Sequence, residues 1–153
     1  MKWNPSRDAS DNARRKLPKL TQKYFHGGRQ AAGEDAAERL HRFRLQTKRF
    51  RYTLELFRPI YGPSLDRHLK SLRGIQDALG KINDYQTICE LVEHDKQLMA
   101  QVQKAQRKKV KEFRQEWKKF DSDGQLKRWK AYLTRAHTTP RKPSARKKSA
   151  PAA

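Results

Sequence analysis

Leu40-His41-Arg42-Phe43-Arg44-Leu45-Gln46-Thr47-Lys48-Arg49-Phe50-Arg51-Tyr52 is the stretch whose pattern decides the fold. With Leu54, Phe57 and Tyr61 downstream, its Leu40, Phe43, Thr47 and Phe50 alternate spacings of three and four residues, the period at which an α-helix returns to one face. A strand would instead alternate every second residue, and no segment of the chain does so. Residues 34–57 therefore read as a helix with an apolar, core-facing seam.

The neighbouring segments follow the same period. Pro59 and Gly62-Pro63 end the first pattern, and a new helix starts with Ser64 as its cap and buries Leu65, Leu69, Leu72, Ile75 and Leu79 until Gly80 closes it. Asn83 or Asp84 then caps a helix containing Ile88, Leu91 and Val92, which continues or bends near Asp95. A long helix follows with Leu98, Val102, Phe113, Trp117 and Phe120 on one side and Lys and Arg on the other. Asp121-Ser122-Asp123-Gly124 breaks it, and a short last helix carries Leu126, Trp129, Tyr132 and Leu133. On the N-terminal side, Leu17, Leu20, Tyr24 and Phe25 mark a first helix capped by Asp11 or Asn12 and ending near residue 32, with Pro18 as a candidate kink and Gly27-Gly28 as a weak end. The expected architecture is an all-α antiparallel helical bundle over residues 11–136. A flexible lead-in over residues 1–10 precedes it, and an aperiodic, basic, disordered tail over 137–153 follows.

Composition narrows the partners. Among 153 residues, 37 Lys and Arg face 16 Asp and Glu, a formal charge of +21 that repels itself unless a polyanion neutralises it. Polyphosphate, nucleic acid and an anionic membrane face all satisfy that demand. Cys89 is the single cysteine, so no intramolecular disulfide forms. Met1-Lys2-Trp3-Asn4-Pro5 lacks the apolar run of a signal peptide, and no segment has the length of a membrane span. The expectation is a soluble cytoplasmic protein.

On a helical wheel, His41, Arg44, Lys48, Arg51, Tyr52 and Glu55 form one stripe beside the apolar seam. Like charges one turn apart destabilise a helix by about a few tenths of a kcal/mol per pair, so the stripe calls for an anion or an acidic neighbour. Residues flanking a seam point into the groove between helices, where guanidinium groups meet phosphate at reduced dielectric. Lys70 and Arg73, at the edge of the next leucine face, are candidates for the facing wall. Arg42 and Arg49 belong to the outer surface, as do Lys104, Lys108, Lys111, Arg114 and Lys118, which lie opposite Val102 and Trp117. No two of His41, His68 and His94 have metal-pair spacing, so no metal is expected; His68 and His94 read as surface residues and Cys89 as a small buried one. Neither a phosphate-cradling Gly-rich loop nor a nucleophile signature is present, so no enzyme and no cofactor are expected.

The stretch quoted first resembles the signature helix of the CHAD family. Leu69-Lys70-Ser71-Leu72 with Ile75-Gln76-Asp77-Ala78-Leu79-Gly80-Lys81-Ile82-Asn83-Asp84 resembles that family's second block, so the likeness covers roughly residues 12–95. It implies a helical fold whose basic groove binds inorganic polyphosphate without catalysis. His41, Arg44, Lys48, Arg51 and Tyr52 match its signature positions and Lys70 the basic position of the second block, with Arg73 added from the wheel. Ordinary members contain two helical halves, and this chain shows one copy of the pattern, which a homodimer would double or a monomer would present as an open groove. Polyphosphate granules or the nucleoid are the corresponding places in the cell. The rival reading is an architectural nucleic-acid-binding protein using Arg141, Lys142, Arg146, Lys147 and Lys148 of the tail.

Overall fold

The structure, a computed structural model, describes residues 4–34 and 36–135. The basic tail and Trp3 lie outside the described residues. Helices α1 (Ala9–Gly33), α2 (Ala37–Leu56), the single turn α3 (Arg58–Tyr61), α4 (Asp66–Leu91), α5 (Lys96–Phe120) and α6 (Gln125–Thr134) make up the fold, with a 3-10 turn at Gly62–Leu65 and no strand among the described residues.

α1 begins earlier than the sequence suggested, because Asp8 is its cap and accepts the Asp11 amide at 2.7 Å. Asn12, one of the two expected caps, is buried instead. Its side chain accepts the Asn4 amide at 3.0 Å and donates to the Asn4 carbonyl at 2.9 Å, which staples the preceding turn to the helix. The helix continues through Gly27 and Gly28, and Gly28 serves packing, because a β-carbon there would collide with the Trp117 ring. That glycine lets α5 approach α1.

Ser64 does not cap α4. It lies in the 3-10 turn, where its hydroxyl donates to the Tyr61 carbonyl at 2.9 Å and sits 2.9 Å from the Tyr132 hydroxyl. α4 also does not stop at Gly80, so the two helices expected there are one. Leu79 and Ile82 are both buried, and keeping one apolar face across the glycine outweighs its propensity cost of about 1 kcal/mol. Asn83 and Asp84 are consequently mid-helix. The break falls after Leu91, and Asp95 caps α5 by accepting the Leu98 amide at 2.9 Å.

α1 and α2 form an antiparallel hairpin, α2 packs on α4, and α4 packs on α5; Trp117 of α5 against Gly28 of α1 closes the four into a ring, with α6 laid on α1. The seam of α2 meets Tyr24, whose ring stacks on Phe50 at 4.5 Å and Phe43 at 5.2 Å. Trp117 meets Phe43 edge-on at 5.2 Å. Thr47, the polar member of the seam, is fully buried and donates to the Phe43 carbonyl at 2.9 Å, so its hydroxyl carries no unpaired cost. Burial pushes the Tyr24 phenol well above its ordinary range. Tyr61 donates to the Leu133 carbonyl at 2.7 Å and ties α3 to α6, burial raising its phenol to about 12. Among the described residues no helix is long and apolar enough to cross a membrane.

Candidate polyanion-binding groove between α2 and α4

Because α2 and α4 run antiparallel, the polar edge of one faces the polar edge of the other, and two hydrogen-bonded rungs join them. His41 Nδ1 lies 2.9 Å from Asn83 Oδ1 at one end. At the other, Arg51 donates from Nε to Gln76 Oε1 at 2.9 Å and from Nη1 to Glu55 Oε1 at 2.6 Å. Arg73 approaches the same Glu55 oxygen at 3.6 Å. Glu55 is thus the acidic neighbour that relieves repulsion at the Arg51 end of the stripe.

Arg44 and Lys48 lie between the rungs, one turn apart on α2, both half-buried. Among the described residues, the buried Arg44 Nε donates to no acceptor and Lys48 pairs with no carboxylate. A buried donor left without an acceptor costs about 1–3 kcal/mol, more when the group is charged. On α4 the segment between the rungs contains Gly80, where a β-carbon would meet nothing within 4 Å. The groove therefore presents two unneutralised cations to an open wall, over an axial length between His41 and Arg51 of about 15 Å.

The predicted residues divide between two places. His41, Arg44, Lys48, Arg51 and Arg73 share the groove. Tyr52 stands at its margin, half exposed, with the Arg51 guanidinium carbon 4.4 Å from its ring centre. Lys70 does not face α2; it lines a cleft with Arg67 and Ser71 of α4, Lys119 of α5 and Trp129 of α6. Asn83 and Gln76, which fix the groove's ends, were missed: the break expected at Gly80 made Asn83 a cap, and Gln76 is uncharged and so escaped a search for cations. Continuing the helical period through residues 73, 76, 80 and 83 would have put them on one face.

Two other expectations need correction. His68 is half-buried, stacked on Tyr132 at 4.3 Å and edge-on to Trp129 at 4.5 Å, and desolvation lowers its pKa. Arg114 is half-buried too and donates to the Glu34 carbonyl at 3.3 Å, beside the C-terminal end of α1, where a cation is favoured. His94 is exposed and Cys89 buried, as anticipated. A larger cleft, of about 780 Å³ between α1 and α6, is less suited to an anion, because Asp121 holds its Arg29 at 2.7 and 2.9 Å. No group of three potential metal ligands occurs among the described residues.

A family model described as the CHAD domain matches residues 2–93. Searches of curated proteins and of solved structures return no match. The matched segment ends just after α4, yet Phe113, Trp117, Trp129 and Leu133, from α5 and α6, are buried in the same core.

Proposed function

The chain belongs to the CHAD domain family, and from that premise we propose that it is a non-enzymatic protein that binds inorganic polyphosphate along the α2–α4 groove. The family is linked to polyphosphate binding in general. The observation that carries the reading is the pair Arg44 and Lys48, half-buried between two hydrogen-bonded rungs without an acidic partner among the described residues. Phosphate oxygens neutralise the partly exposed Arg44 guanidinium, and Lys48 adds a point charge one turn away. Arg51 is held in advance by Gln76 and Glu55, so its guanidinium loses little freedom when ligand arrives. His41 closes the far end.

Catalysis is not part of the proposal, since the groove residues are cations and amides whose one carboxylate, Glu55, is engaged by Arg51 and Arg73. The test is competition between long-chain polyphosphate and duplex DNA of equal phosphate concentration, near physiological salt. Polyphosphate should win, and log Kd should rise with log salt concentration at about 0.7–0.9 per neutralised phosphate, giving a slope of several. Preference for DNA, or a slope near zero, would refute the reading.

A further inference from the structure

Beyond the groove residue Arg73, α4 carries Lys70 and Arg67, cations that the groove does not use. From Arg73, which reaches toward Glu55 of α2, Lys70 and Arg67 follow at intervals of three residues. Each such interval climbs about 4.5 Å and turns about 60° around the helix, so the three cross the outer ridge of α4 obliquely, from the α2 side to the α5 side. On that far side Arg67 and Lys70 line a cleft of about 360 Å³ with Lys119, Gln125, the buried ring of Trp129 and one carboxylate, Glu116.

Arg67 and Lys70 make no ion pair among the described residues. Lys119 is held by Glu116 at 3.0 Å, but both are largely exposed, and a surface pair of that kind yields readily to a phosphate. A β-carbon at Gly74, in the cleft wall, would meet nothing within 4 Å. Three cations around a concave, partly apolar wall concentrate their field in the cleft.

We propose that this cleft is a second phosphate-binding subsite, and that one long polyphosphate chain runs from the α2–α4 groove over Arg73, Lys70 and Arg67 into it. The inference rests on the polyphosphate reading and extends it to ligand length: the groove alone accommodates short oligophosphates, whereas long chains engage both places. Lys119, Gln125 and Trp129 lie beyond the matched residues 2–93, so α5 and α6 contribute to binding as well as to the core.

Titration calorimetry of the full chain with tripolyphosphate and with long-chain polyphosphate tests this. The Arg67→Gln/Lys70→Gln/Lys119→Gln variant should lose about tenfold or more in affinity for the long chain and about two units of salt slope, with tripolyphosphate affinity within about twofold of wild type. Arg44→Gln/Lys48→Gln should weaken both ligands. The single variant Lys70→Gln, on the exposed ridge, should shift long-chain affinity in the same direction and serves if the triple variant melts early. Equal losses for both lengths, or no loss for the long chain, overturn the second subsite while leaving the groove standing. A loss confined to duplex DNA assigns the cleft to nucleic acid and overturns it too. Wild type that binds neither oligophosphate nor long chain overturns the groove reading itself.

Discussion

At Gly28 the backbone of α1 comes so close to the Trp117 indole that a methyl group has no room. Gly28→Ala should therefore destabilise the fold by about 1–3 kcal/mol through overpacking, although alanine is the better helix former. Gly80→Ala, mid-helix with open space around its β-carbon, should stabilise by about 0.5–1 kcal/mol. Chemical denaturation of the two variants checks the signs, and two stabilised proteins would contradict the close approach. Phe50, stacked on Tyr24 and 2% exposed, should cost about 3–5 kcal/mol as Phe50→Ala, while exposed Arg49→Ala changes stability little. The seam was legible to the residue because burial along α2 obeys a single period: Leu40, Phe43, Thr47, Phe50 and Leu54 are its buried residues. Gly28 was not, since a glycine's role in packing depends on what lies across from it, and Trp117 is distant in sequence.

Among the elements, α4 shows where local signals mislead. Gly80, Asn83 and Asp84 read as a stop followed by a cap, and the buried Leu79 and Ile82 override them. Joining the two pieces turns Asn83 toward His41 and so creates one end of the groove. His68, near the start of the same helix, was read as a surface residue because its burial is supplied by Trp129 and Tyr132 of α6. Its pKa is lowered from about 6.5 chiefly by desolvation. The unfolded chain consequently binds the His68 proton more readily than the folded one, and stability falls as pH drops through the ordinary histidine value, levelling off only below the depressed folded value. His68→Phe keeps an aromatic ring without the titration. Thermal melts at about pH 7.5 and about pH 5.5 should show a smaller acid-induced loss for this variant than for wild type. Equal losses would mean that His68 titrates as it does in the unfolded chain.

On the scale of the whole molecule, a chain of formal charge +21 folds around a core while leaving Arg44 and Lys48 without an acidic partner among the described residues, in the groove between α2 and α4. Net charge called for a polyanion partner, and the seam marked the helix whose stripe forms one wall of the proposed site. The facing wall was only half legible: Arg73 was identified with its correct neighbour, but Lys70, three residues away, turned out to line the cleft against α5 and α6. A few tens of degrees of helix rotation separate those outcomes, and a sequence pattern does not resolve them without the register of the partner helices. Arg51 also behaves differently from its neighbours in the stripe, because Glu55 and Gln76 already neutralise and hold it. Removing Arg51 would confound folding with binding, whereas Arg44 and Lys48 can be replaced with relief of repulsion between them.

The most direct measurement is the melting temperature of wild type and of Arg44→Gln/Lys48→Gln, each with and without polyphosphate. A ligand that binds only the folded state adds RT ln(1 + [L]/Kd), about 2.7 kcal/mol at a hundredfold excess over Kd. Wild type should show a clear rise in melting temperature, and the double variant an unliganded melting point equal to or slightly above wild type with most of that rise gone. A double variant that keeps the full polyphosphate-induced rise would contradict the groove.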